Sequence, residues 1–545
     1  MYSPRTRRHR VRLALAAVVA GAFALTACST GGASNEDAAA AVSPEDRFGG
    51  TLTIGLEADP QGVDAAVVNQ VWRHVARELS DSLVFRNPET NEIEPWLATE
   101  WTVSSDARTY EFTLRDDVTF NDGTKLTGDV VKANFESLQR EGIHSSAKTI
   151  VQGISSITVP AENQVTVEFA EPNAAFLPSL SRAHAGIVSA ATAALPVEER
   201  QKTVDGSGPF QLQSYTENQE IVLEAREDYD WAPTYFEHEG RAYLDEVVYK
   251  IIPEDSVRNG AIKSDEIQFI YWVDGSYVPE LEAAGLTVTS DVVNPATGEE
   301  WPLNTSSKFL RDVKVRQALQ HGIDREALVQ FTSNGYDVPA QGPLSPENPY
   351  FSDQSEHLTY DPDQSIQLLE EAGWDTVGED GIRTNAAGER LSLRFPSDRA
   401  AASAVQDQWK KIGVELVIDV PLAAEANEKL LSGEYDIAYW YHSSPDADVL
   451  RANYGVETGS NRSFIAADDA RGQELDELLQ LQNTILDSDE RQEVVDQAAQ
   501  IIDEDAYVLN LSVDTDIWVA SPRLHDIKHN GLDQLLFDAW LTPAE

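Results

Sequence analysis

Glu94-Pro95-Trp96-Leu97-Ala98-Thr99-Glu100-Trp101, Tyr110-Glu111-Phe112-Thr113-Leu114-Arg115 and Val118-Thr119-Phe120-Asn121-Asp122-Gly123 form the stretch that decides the fold. Tyr110, Phe112 and Leu114 alternate with polar residues, a period of two that lays one face of a strand on a core. Asp116-Asp117 reads as a turn into Val118 and Phe120, so a hairpin is expected here. Asn121-Asp122-Gly123 has turn chemistry. Thr127 then offers an N-cap with Asp129 in the first helical turn. Trp96, Trp101, Tyr110, Phe112, Leu114 and Phe120 are expected to fill the core of a hairpin-rich domain rather than to touch a ligand.

The rest of the chain alternates strands with helices. Leu52, Ile54 and Leu56 mark a strand. Ile157 and Val159 should pair with Val165, Val167 and Phe169 across Ala161-Glu162-Asn163. Asp361-Pro362-Asp363 opens a helix that Gly373 stops. Asp324 caps another helix. A helix through Val405, Trp409 and Ile412 ends at Gly413 and feeds a strand from Val414 to Val420. Long helical patterns run from Leu475 to Ile485 and from Val494 to Ile502. This is a mixed α/β chain without a short internal repeat.

The N-terminus reads as an address. Arg5, Arg7, Arg8, Arg10 and Arg12 precede an apolar run, Leu13 to Leu25, too short for the roughly 20 residues of a membrane span. Leu25-Thr26-Ala27-Cys28 resembles the bacterial lipobox, in which the cysteine is acylated and heads the mature chain. A signal peptide over 1–27 and a flexible tether over 28–49 are therefore expected. Cys28 is the only cysteine, so no thiol remains for a disulfide, a nucleophile or a zinc cluster. The formal charge is −51, and loss of the five signal arginines makes it about −56. Nucleic acid and anionic membrane are poor partners for such a surface.

No constellation for catalysis stands out. Walker A, HExxH and GxSxG patterns are absent from the sequence. Gly206-Ser207-Gly208-Pro209 is no dinucleotide loop, because strand-like Phe210 and Leu212 follow it. His525 and His529 lie four apart, but their surroundings read as strand or loop, so no metal and no cofactor are expected.

The ordered set of segments closely resembles the extracellular solute-binding proteins of ABC importers, the oligopeptide-, dipeptide- and nickel-binding family 5. To the stretches quoted above it adds Gly206-Ser207-Gly208-Pro209-Phe210, then Asn304 with Phe309 and Asp312. Val315-Arg316-Gln317-Ala318-Leu319 and Ile323-Asp324-Arg325 follow, with Leu368-Leu369-Glu370-Glu371-Ala372-Gly373-Trp374. Trp409 with Ile412-Gly413-Val414, and Tyr435-Asp436, complete the set. The resemblance runs from about Gly50 to the C-terminus. It implies an α/β periplasmic-binding-protein-like fold, a two-lobed clamp with an extra small domain and a hinge crossed by two or more segments. Lobe I would comprise 50–82, 194–285 and 510–545, with the inserted hairpin-rich domain at 83–193 and lobe II at 286–509. The implied function is capture of a peptide or related small solute by closure and delivery to a membrane permease. A nickel complex, opine or oligosaccharide, or a ligand-dependent sensor role, is the alternative. The protein would be a monomer on the extracellular face of the cell membrane, held only by the lipid on Cys28, and not an enzyme.

The resemblance also nominates ligand residues. Asp446, in Ser444-Pro445-Asp446-Ala447-Asp448, matches a position where peptide binders hold the ligand ammonium; the other reading is a loop or helix-capping residue. Asp448 is expected to cap the helix that starts at Val449. Arg399, after Phe395-Pro396, matches an arginine that holds a ligand carboxylate, or is an exposed arginine at a helix start. Trp272, Trp301, Trp440 and Tyr441 are aromatic candidates for cleft walls, and His442 lies in the same loop as Tyr441.

Overall fold

The computed structural model describes residues 42–544 apart from 69–72, 293–296, 398, 440–443, 445, 457–460 and 531–532. Cys28, Trp440, Tyr441 and His442 lie outside the described residues. Among those described, no helix is long and apolar enough to cross a membrane.

Lobe I is built on a seven-stranded sheet. The strand Thr51–Leu56 lies inside it, parallel to Glu246–Ile251 on one side and to Phe269–Ile270 on the other. Leu52, Ile54 and Leu56 are buried, as their spacing predicts. Glu220–Ala225 and Phe210–Thr216 extend one side, and Asp516–Ala520 and Thr287–Asp291 the other. Gly206 and Gly208 have a backbone reason to be glycine. A Cβ on Gly206 would stand 1.7 Å from the Leu79 carbonyl oxygen, and one on Gly208 2.5 Å from that of Glu78. Here the Gly-Ser-Gly-Pro motif lets one chain pass under the end of the helix Arg73–Leu79.

The inserted domain is a four-stranded antiparallel sheet in the order Ala98–Val103, Thr109–Leu114, Gln164–Phe169, Ile154–Ala161. Tyr110, Phe112, Val165 and Val167 face inward against Phe135 and Phe176, in one continuous core with lobe I. The hairpin across Ala161-Glu162-Asn163 forms as expected. The one expected between Leu114 and Val118 does not. Thr109–Leu114 takes Ala98–Val103 and Gln164–Phe169 as neighbours, and Thr119 only bridges to Lys125 across the Asn121-Asp122-Gly123 turn.

Lobe II has its own core around Trp301, Trp409, Leu369, Leu393 and Phe395. The Trp409 indole donates to the Leu319 carbonyl at 3.0 Å. Local chemistry holds the helices where the sequence places them. Asp361 and Asp324 cap Pro362–Glu371 and Arg325–Thr332, and Gly413 stops Ala400–Ile412 at φ +87°. The lobe boundaries differ from expectation at both crossings. Thr287–Asp291 pairs with Asp516–Ala520 inside the lobe I sheet, so lobe II does not begin at 286. Val508–Val513 pairs with Glu299–Pro302 and Val338–Pro339 in lobe II, so lobe I resumes only at Asp516. The chain thus leaves the lobe I sheet after Asp291 and rejoins it at Asp516, directly after Val513 of the lobe II sheet.

Several carboxyls are buried deeply enough to change the acid–base behaviour of the fold. Desolvation pushes Glu78 and Glu300 up to about 8, and Asp81 and Asp503 up to about 7. Between pH 6.5 and 8 the folded chain therefore binds more protons than the unfolded one, and stability falls as pH rises. Burial lowers His74 to about 3 and holds His184 well below its ordinary value, so below about 6.5 these groups act in the opposite sense. Melting curves should give a higher Tm at pH 6.5 than at pH 8; a Tm that rises from pH 6.5 to pH 8 would contradict this assignment.

Candidate ligand-binding cleft

In open sheets of this kind, ligands sit outside the carboxyl ends of the parallel strands. Here that edge meets the hinge. Trp272 follows the strand Phe269–Ile270 with φ +49° and lies half-buried against the lobe I core, its ring 5.4 Å from that of His74. Asp516 begins the next strand, Asp514 lies in the crossing segment, and Asp337 precedes the lobe II strand Val338–Pro339. All three are half-buried. Desolvation, then the neighbouring Asp337 and Glu299, push Asp514 up to about 7; desolvation pushes Asp516 up to about 6 and also raises Asp337.

The second wall belongs to the inserted domain. A cavity of about 500 Å³ separates that domain from lobe II, lined by Gln152, Glu171 and Arg182 on one side and Asp448, Arg451 and Asn483 on the other. Arg182 is 6% exposed. Among the described residues its guanidinium has neither a hydrogen bond nor an ion pair. Burial, and then the nearby Arg73, lower it to about 10, so it stays charged at neutral pH. Arg73 itself pairs with Asp533 at 2.8 Å. A buried, unpaired guanidinium is costly to the fold, and its planar donors suit a carboxylate.

The nominated residues fare differently. Asp446 is buried, and its oxygens accept from both terminal nitrogens of Arg491, at 2.8 and 2.5 Å, and from the Asp448 amide at 2.8 Å. Its carboxylate is thus already paired with a cation inside lobe II, the geometry of a structural ion pair. Asp448 is the first residue of the helix Asp448–Tyr454 rather than its cap; its carboxylate pairs with Arg451 at 2.6 Å. Trp301 is no cleft wall: it is fully buried, packed on Phe395 with ring centroids 4.2 Å apart. Arg399 is at the helix start, but its fork is engaged by Glu299 at 3.1–3.2 Å and lies over the Tyr439 ring. His525 stacks on Trp540, and among the described residues no group of three or more His, Cys, Asp or Glu is arranged to hold a metal. Sequence reading missed Arg182, although one charge inside Ala174–Val188, a run of mainly small and apolar residues, is a visible anomaly.

Two lobes on separate sheets, a two-segment hinge and a cleft with buried charges define a clamp-type binding protein. Residues 92–462 match the family described as bacterial extracellular solute-binding proteins, family 5 Middle, and the chain belongs to that family. The dipeptide-binding protein of Escherichia coli K12 is 25% identical over 516 residues, covering 89% of this chain and 92% of that protein. NikA from Brucella suis in complex with Fe(III)-EDTA superposes with a TM-score of 0.78 at 19% identity, over 90% of this chain and 100% of that one. AgaA from Agrobacterium tumefaciens R10 in complex with agropinic acid gives a TM-score of 0.73 at 23% identity, over 91% and 99%.

Proposed function

We propose that this protein captures a small solute bearing a carboxylate, a peptide foremost, and hands it to the permease of an ABC importer. The observation that carries this reading is Arg182, a charged donor with no hydrogen-bond or ion-pair partner for its guanidinium among the described residues, lining the space between the inserted domain and lobe II. A ligand carboxylate would supply the missing counter-charge. The half-buried carboxylates Asp337, Asp514 and Asp516 suit the opposite charge, and a peptide carries both. The named ligands of the relatives support the first half of the argument, since dipeptides, EDTA and agropinic acid all carry carboxylates. A metal chelate or an opine is therefore the second reading, and the same arginine would serve it. The protein acts by binding and closure and catalyses no reaction.

The experiment is a thermal-shift screen with dipeptides, tripeptides, nickel–histidine, opines and oligosaccharides. A ligand at 100 times its Kd adds about 2.7 kcal/mol. Stabilisation by carboxylate-bearing compounds supports the proposal; stabilisation by neutral sugars alone overturns it. We place the protein on the extracellular face as a monomer, tethered by a lipid on Cys28. Cys28→Ala should leave the membrane fraction depleted of processed protein, and a wild-type mature N-terminus of unmodified mass would refute the anchor.

A further inference from the structure

Among the described residues, the hydrogen bonds between the inserted domain and lobe II run through one residue, Asn483. Asn483 ends the helix Ala470–Gln482 and is 7% exposed. Its backbone carbonyl accepts from the Ala174 amide at 2.9 Å. Its side-chain oxygen accepts from the Ala175 amide at 3.4 Å, and its side-chain nitrogen donates to the Pro172 carbonyl at 3.1 Å. The preceding residue is fixed from within lobe II: Gln482 accepts from Arg491 at 2.6–2.9 Å and donates to Asp448 at 2.9 Å. The asparagine is thus a rigid tooth of lobe II in the backbone of the inserted domain. Both sides border the cavity that Arg182 faces.

We infer that Asn483 is a closure latch, which sets the open–closed equilibrium of the clamp before any solute binds. The chain passes between the sheets of the two lobes after Asp291 and again between Val513 and Asp516, so lobe II cannot move away from the inserted domain without breaking the three bonds to Asn483. Opening returns these groups to water, so the latch biases the resting population without locking it. The apparent affinity for any ligand scales with the fraction of closed, binding-competent protein. The latch therefore acts on every ligand equally and independently of which solute the cleft takes.

The test uses ligand-free protein with Cys28→Ser and nitroxide labels at Glu162→Cys, on the inserted domain, and Glu493→Cys, on lobe II, both exposed positions. Pulsed electron resonance on the otherwise unaltered chain should show a dominant closed-state distance with a minor, longer population. Asn483→Ala keeps the right-handed helical backbone of the cap (φ −77°) and should move population to the longer distance by roughly three- to tenfold. Asn483→Asp sets a carboxylate oxygen against the Pro172 carbonyl and should open the clamp at least as far. Circular dichroism establishes that both variants are folded. Distance distributions of both folded variants that superimpose on that of the parent would overturn the latch, as would Asn483→Asp remaining more closed than Asn483→Ala.

Discussion

Arg182→Met is expected to melt at a higher temperature than the wild type without ligand, and to bind carboxylate-bearing solutes far more weakly. The two effects have one cause. In the ligand-free protein the guanidinium is 6% exposed and unpaired among the described residues, so the fold bears its desolvation with no return. Methionine fills similar volume without that burden. In the complex the same charge would meet a carboxylate in a dry site, and loss of one member of such a pair typically costs about 2–5 kcal/mol, roughly 30- to 5000-fold in affinity. Arg182→Lys should recover part of the affinity, because it keeps the charge but not the fork. A purely structural arginine would behave in the opposite way, with a lowered Tm and unchanged affinity. Calorimetric titration beside melting curves separates the two.

Arg491→Ala should be among the most destabilising single changes in lobe II. Arg491 and Asp446 form a doubly hydrogen-bonded pair whose side chains are 3% and 1% exposed, and Arg491 also holds Gln482 and lies 4.8 Å from the Tyr350 ring centre. Removing the cation leaves a buried carboxylate whose remaining side-chain hydrogen bond among the described residues comes from the Asp448 amide, which typically costs about 3–5 kcal/mol. Asp446→Asn should also destabilise, because it strands the arginine. Pairing Asp446→Asn with Arg491→Gln should recover part of the loss, and the double-mutant cycle reports the coupling. An ammonium anchor would give the reverse for Asp446→Asn: a stable protein with lost affinity. Denaturant midpoints for Arg491→Ala equal to wild type would refute the structural reading.

The contrast between these two arginines shows what could be read from the chain. Helix ends were legible because their causes are local: Asp324, Asp361 and Gly413 act within a few residues of themselves. The α/β class and the clamp were legible from periodicity and from the ordered family segments. Strand partners were less so. Thr109–Leu114 has the right pattern for a hairpin with its successor, but its neighbours are chosen by the whole sheet, and one of them lies more than 50 residues on. The lobe boundaries slipped for a similar reason, since Thr287–Asp291 belongs to the sheet of the strand that returns at Asp516. The pairing of Asp446 is not legible because its partner is 45 residues away. Arg182 was overlooked because nothing in the local sequence says that no carboxylate will reach it. In a chain with 92 acidic residues, the apolar run around Arg182 marks it as unusual, but that no carboxylate pairs with it is seen only in three dimensions.

The most direct test of the clamp itself is small-angle scattering from the purified protein, with and without a compound shown to raise its melting temperature. The account predicts a smaller radius of gyration in the complex, with circular dichroism unchanged, as the open fraction closes. Scattering curves that superimpose at saturating ligand, for both the wild type and the latch variant Asn483→Ala, would contradict capture by closure.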